Sequence, residues 1–159
     1  MNPNDIEYMK IALAEAELGE KEGEVPVGAV IVYENRIISQ AHNRNIQSDD
    51  STAHAELSAI RQACQKLNQK RLDGTWIYVT KEPCPMCAGA MVLAHIDRLI
   101  YGVKDIKSGA AGSVINLVTH PQLNHQMEIT QGVLETECRH LLQSFFQKLR
   151  KKESDSLYL

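Results

Sequence analysis

His54-Ala55-Glu56 and, thirty positions after His54, Pro83-Cys84-Pro85-Met86-Cys87 are the residues of this chain whose types and spacing carry chemistry. One imidazole and two thiolates are N and S donors that suit a borderline-soft zinc ion. Three protein ligands leave one tetrahedral position for water, which is the catalytic arrangement, whereas a structural zinc takes four. Cys84 and Cys87 are three apart, so on the first turn of a helix they share a face. Free N–H groups and the positive dipole end at a helix start also favour thiolate over thiol. Glu56, two residues past His54, can approach a zinc-activated water without ligating and pass its proton to a leaving group. Taken alone, the C-x-x-C also fits a redox pair. A structural zinc would need a fourth ligand from His42, His95 or Cys64, and none has the short spacing of structural pairs.

These residues need elements to hold them. Apolar positions Ile6, Met9, Leu13 and Ala16 predict an amphipathic helix over residues 5–18. Val27–Tyr33 and Arg36–Gln40 read as a β-hairpin turning at Glu34-Asn35. Residues 43–52 are polar and loop-like, and Ser51 or Thr52 is expected to cap a helix over His54–Leu67. Thr75–Thr80 is the clearest strand. Pro83 and Pro85 bracket the entry to a helix ending about His95. Arg98–Val103 reads as a strand, residues 104–113 as a Gly-rich loop, and Leu134–Arg150 as an amphipathic helix. Strand and helix alternate in mid-chain, so an α/β layered sheet is expected, mixed because of the opening hairpin. Residues 1–152 are read as one domain and residues 153–159 as a frayed tail.

Composition bounds the function. The chain has 159 residues, of which 43% are apolar and 23% charged, as in an ordinary globular protein. Four cysteines are too few for a disulfide scaffold of this size, and Cys64 and Cys138 read as buried or incidental thiols. No secretory leader or membrane span is expected, which points to the cytoplasm. A net charge of −3 excludes a globally basic nucleic-acid binder. The charge is uneven, however. Residues 1–24 hold seven acidic and two basic residues, residues 61–107 hold eight basic and four acidic, and residues 139–152 hold five basic and no acidic. The modest net charge rules out indiscriminate polyanion binding, and the polarity leaves room for local basic surfaces.

H-x-E followed by P-C-x-x-C is the signature of zinc deaminases. Beyond it, the chain closely resembles the bacterial tRNA-specific adenosine deaminases of the cytidine-deaminase-like fold, from about Asp5 to Arg150. The matching stretches are GEVPVGAV at 23–30, AHN at 41–43, TAHAE at 52–56, EPCPMCAGAM at 82–91, YGVKD at 101–105, KSGAAGS at 107–113, NHQMEITQGVL at 124–134 and FFQKLR at 145–150. The resemblance implies a three-layer α/β/α fold around a mixed, mostly five-stranded sheet. It also implies a homodimer that converts the wobble adenosine of a tRNA anticodon loop to inosine, with an arginine tRNA as the family's substrate. One zinc ion per chain would sit on His54, Cys84 and Cys87, with Glu56 as proton shuttle.

Further roles follow from the resemblance. Asn43 would hydrogen-bond the flipped nucleotide, and Val27 and Pro83 would wall the base pocket. The backbone N–H of Ala55, from its place beside the zinc, is a further candidate to hold the base. Asp105 and Lys107 would contact the RNA backbone or a 2′-hydroxyl, and Phe145 and Arg150 would line the RNA path. Each has a structural alternative. Asn43 can satisfy loop backbone, Val27 can be strand core, Asp105 can cap its own loop, Phe145 can be helix core and Arg150 a solvated charge. Two positions depart from the family. Lys81 stands where Leu is usual and adds a positive charge near the mouth of the site, and His95 ends the zinc helix. Two other functions share the zinc motif: a free-base or nucleoside deaminase acting on guanine, cytosine or cytidine, and a non-catalytic zinc-stabilised RNA-binding module.

Overall fold

The computed structural model describes residues 2–156. The elements in chain order are α1 (Asp5–Lys21), β1 (Gly28–Tyr33), β2 (Arg36–His42), α2 (Ala55–Leu67), β3 (Thr75–Lys81), α3 (Pro85–Leu93), β4 (Arg98–Val103), β5 (Glu128–Gln131) and α4 (Glu135–Ser156). The strands form one sheet in the order β2-β1-β3-β4-β5. β1 runs antiparallel to both β2 and β3, while β3, β4 and β5 are parallel. The sheet is therefore mixed and five-stranded, as expected. The hairpin turns where the sequence places it. Glu34 and Asn35 both adopt positive φ, 47° and 59°, the two-residue geometry that matches strand twist.

Alternation along the strands sorts the core into two faces. Val30, Val32, Tyr78 and Ile100 pack against Met9 and Ala12 of α1 and Cys138 of α4. Ala29, Ile31, Ile77, Val79 and Leu99 point the other way, toward Ala59 and Ala63 of α2 and Ala88 and Met91 of α3. The result is a three-layer α/β/α molecule, with the site's two helices on one layer. On the opposite layer, Asp5 at the start of α1 is fully buried and accepts two bonds from the Arg98 guanidinium and one from the Tyr78 hydroxyl. That cluster ties α1 across β3 and β4.

Apart from shifts of one to three residues at the ends of α1, β1 and β2, among others, three differences from the sequence reading stand out. β5 lies outside the elements read from sequence: its residues, EITQ, are short, polar and half-exposed at the sheet edge, so no alternating apolar signal marks them. α3 stops at Leu93, and His95 sits beyond it with φ +57°. α4 runs past Arg150 and through residues 153–156 of the tail, while residues 157–159 lie outside the described residues. Among the described residues, no helix is long and apolar enough to cross a membrane.

Candidate metal centre and active site

Two helix starts converge on one point. α2 has His54 as its N-cap, with extended backbone (φ −77°, ψ 151°). Ser51 and Thr52 do not cap it, because the chain reaches the first helical residue only three positions after Thr52. The first N–H of the helix, that of Ala55, instead donates to Asn43 Oδ1 at 2.9 Å. α3 starts on Cys84 (φ −73°, ψ 171°), with Pro85 in the first turn, where its missing N–H costs nothing. His54 Nδ1 lies 3.6 Å from Cys84 Sγ and 3.4 Å from Cys87 Sγ. All three atoms fall within 4.8 Å of one another, and among the described residues no fourth ligand joins them. Tetrahedral zinc with Zn–S of about 2.3 Å and Zn–N of about 2.0–2.1 Å requires N···S edges near 3.6 Å. The trio matches that tetrahedral edge, so its geometry and donor chemistry both fit zinc.

The electrostatics divide the roles. Cys84 is pulled down to about 4, first by the hydrogen bond from the Cys87 thiol and then by His54. Cys87 moves up, because donating to Cys84 and burial both hold its proton. His54 is raised, chiefly by its hydrogen bond with Cys84. Glu56, only 4% exposed, is raised by burial, which its own N–H and the charge of His54 only partly offset. A carboxyl held ready to keep a proton, beside a three-ligand metal site, is equipped for proton transfer.

The site opens into a cleft of about 370 Å³. Val27, Asn43, His54, Glu56 and Cys84 line it, as the sequence reading places them. Asn43 is nonetheless built into the scaffold. Its Oδ1 accepts the Ala55 N–H and its Nδ2 donates to the Val25 carbonyl. The same bond corrects the expectation for Ala55, whose N–H is committed to Asn43 inside the protein rather than offered to a base. Pro83 is buried behind the wall, where its carbonyl accepts from Ala110 N–H. Asp105 is held within its own loop. Its Oδ1 accepts the N–H groups of Lys107 and Ser108, and its Oδ2 accepts the Ser108 hydroxyl and pairs with Lys81 Nζ at 2.6 Å. Asp105 thus caps its own loop and anchors Lys81. Lys107 is exposed beside it. Phe146, 40% exposed, lines the cleft instead of Phe145, whose ring meets it edge-on from a neighbouring groove beside α1. Arg150 is exposed and lies off the cleft wall.

Sequence reasoning missed two organising acids. Glu82 is 2% exposed and accepts the N–H groups of Asp105, Ala111 and Ser113 and the Ser113 hydroxyl. It therefore knits residues 105–113 onto the strand that carries the zinc motif. Gly109 shows how tight this is, because a methyl there would come within 2.5 Å of the Asp105 carbonyl oxygen and closer still to Glu82 Cδ. Glu24 does the same on the opposite side, accepting the N–H groups of Ile46 and Gln47. The available signal was an acid directly before P-C-x-x-C, followed in the chain by a loop of small residues whose N–H groups need acceptors.

With this geometry in place, comparison with known proteins is direct. The sequence profile of MafB19-like deaminases matches residues 3–150. A tRNA-specific adenosine deaminase of Bacillus subtilis is 48% identical over 146 residues, covering 92% of this chain and 91% of the relative. Among solved structures, one from a study of A-to-I editing by tRNA:A34 deaminases at the wobble position of transfer RNA is 43% identical. It superposes with a TM-score of 0.83 over 86% of this chain and 99% of its own. A guanine deaminase from Bacillus subtilis is 33% identical, with a TM-score of 0.61 over 95% of both chains. The chain belongs to the MafB19-like deaminases and, among them, to the tRNA-specific adenosine deaminases.

Proposed function

We propose that the chain, acting in the cytoplasm as a homodimer with one zinc ion per subunit, hydrolyses the wobble adenosine of a tRNA anticodon loop to inosine and ammonia. The substrate we name first is an arginine tRNA. The carrying observation is the buried, proton-holding Glu56, two residues past His54, beside a three-ligand site that opens to a cleft. His54, Cys84 and Cys87 would hold the ion, which when bound supplies the Lewis acidity that lowers a water's pKa from about 15.7 toward 7. Glu56 would carry one proton of the attacking water to the purine ring nitrogen, and then the remaining hydroxyl proton to the amine, which leaves as ammonia as the C–N bond breaks and the C=O bond forms. Val27 and Asn43 bound the pocket for the base. An anticodon loop presents unpaired bases, so extruding one costs less than from a duplex. Lys107 and Arg150, both exposed, would meet phosphates outside the cleft.

Glu56 also weighs against a non-catalytic zinc module, which has no use for an acid beside an open metal position. The free-base reading draws on the guanine deaminase likeness, which is weaker in both identity and superposition than that to the tRNA:A34 deaminase. The test incubates purified, zinc-loaded protein with an anticodon stem-loop bearing adenosine at the wobble position and measures inosine, with guanine, cytidine and adenosine in parallel. Inosine in the RNA is the expected product. Turnover of a free base or nucleoside without RNA inosine would overturn the reading.

A further inference from the structure

The cleft has an electrostatic problem for an RNA. Its wall carries three carboxyl side chains, Glu24, Glu56 and Glu82, and among the described residues a single Lys or Arg, Lys81. Glu24 and Glu82 are used internally, each accepting loop N–H groups. Lys81 is different. It ends β3, three residues before Cys84, and its side chain is 33% exposed. One of its three ammonium donors points at Asp105 Oδ2. That pair fixes where the ammonium sits, because Asp105 is itself tied to Lys107 and Ser108. Two donors remain for a ligand, since a Lys ammonium has three donors and no acceptor.

We propose that Lys81 is the phosphate-binding and specificity-determining residue at the mouth of the cleft. Its ammonium, held in place by Asp105, takes one phosphodiester adjacent to the extruded nucleotide. This inference rests on the RNA-editing reading above. The logic is one of charge: a polyanion entering a cleft lined by carboxyls needs a cation at the entrance, and this chain supplies one there. A free nucleoside has no phosphodiester and gains nothing from it. Asp105 is then a positioning residue. It contributes by aiming Lys81.

The experiment uses the full-length protein and a set of anticodon stem-loops. In each RNA one phosphodiester, on either side of the target adenosine, is replaced by a neutral methylphosphonate. Kd is measured with Glu56→Ala protein, and kcat and KM with protein that keeps Glu56, each with and without Lys81→Met. For unmodified RNA, Lys81→Met is expected to weaken binding about tenfold, through KM with kcat little changed, and to lower the salt slope by about 0.7. At one methylphosphonate position the wild-type enzyme should lose a similar factor and Lys81→Met almost nothing further. Lys81→Arg should restore most of the affinity. A Lys81→Met defect of equal size on every RNA would overturn the proposal and assign Lys81 to loop structure alone, as would unchanged binding. Wild-type protein that binds the RNA with this coupling but yields no inosine would sink the editing reading and leave the Lys81 contact standing. Wild-type protein that does not bind the RNA would sink both.

Discussion

Glu56 on the floor of the cleft and Asp105 on its rim are both hidden, at 4% and 8% exposed, yet their carboxyls move in opposite directions. Burial pushes Glu56 up with little to answer it. Burial also works against the Asp105 carboxylate, but the Lys81 ammonium, the Ser108 hydroxyl and the Lys107 N–H outweigh it and hold Asp105 well below the usual carboxylate range. What separates them is the partners available, not depth. A buried carboxyl with capacity left over can carry protons. One whose acceptor positions are filled is a fastener. Glu82 belongs with Asp105 by this criterion, since it accepts from four donors.

Glu56→Gln is the sharpest way to test the floor. It keeps shape and removes proton transfer, so kcat should fall by about 10²–10⁴-fold. Zinc should stay near one per chain, and the melting temperature should hold or rise, because a strained buried acid is gone. Zinc analysis and calorimetry on the same sample check this. Loss of zinc would make Glu56 a ligand and erase the distinction drawn here.

On the rim, the expected pattern is reversed. Glu82→Gln turns an acceptor toward four donors into a group with its own N–H, leaving at least one buried N–H unpaired. The cost should be about 1–3 kcal/mol, read in denaturant unfolding. Proteolysis should appear within residues 105–113, and activity should fall through loop disorder with zinc content unchanged. If Glu82→Gln instead matched Glu56→Gln in kcat with no loss of stability, Glu82 would join the chemistry.

Asp105→Asn gives a smaller effect with a definite pH signature. A depressed folded-state value means stability present above the unfolded carboxylate value near 3.9 and lost as pH falls through the folded value. The variant should therefore be less stable by about 1–2 kcal/mol at neutral pH, of the size of a hydrogen-bonded charge. The gap should close as pH drops below about 4. A gap that does not narrow at all as pH falls below about 4 would mean packing, not charge, holds this corner.

The floor was legible in the sequence and the rim was not, for a physical reason. Metal ligation fixes both residue type and short spacing, so His54, Cys84 and Cys87 announce themselves, and Glu56 follows from its distance to His54. The rim is held by side chain to backbone bonds that span the chain. Glu82 reaches 29 and 31 positions ahead to Ala111 and Ser113, and a backbone N–H leaves no mark on composition. Resemblance implied a substrate contact for Asp105, and nothing in the sequence marked its pairing with Lys81, 24 positions before it. Phe145 and Phe146 are adjacent on α4, so helical spacing alone could not decide which ring faces the cleft. β5 was missed because a four-residue polar edge strand carries no alternation.

Asn43 sits between the two regions and offers the finest test of the comparison. Its Oδ1 accepts the first N–H of α2, which fixes the turn that presents His54, and its Nδ2 donates to the Val25 carbonyl. Asn43 lines the cleft, and its Nδ2 carries a second hydrogen besides the one given to Val25. Asn43→Asp keeps the acceptor at a helix N-terminus, where negative charge is favoured by about 0.3–1 kcal/mol, but removes both donors. The two effects on stability should nearly cancel, leaving less than about 1 kcal/mol of change. Zinc should remain bound. If the remaining N–H holds the extruded nucleotide, KM should rise severalfold with the fold intact, placing Asn43 with Glu56 as a group with capacity to spare. An unchanged KM alongside a lowered melting temperature would place it with Glu82 and Asp105, as a fastener whose partners are all within the protein.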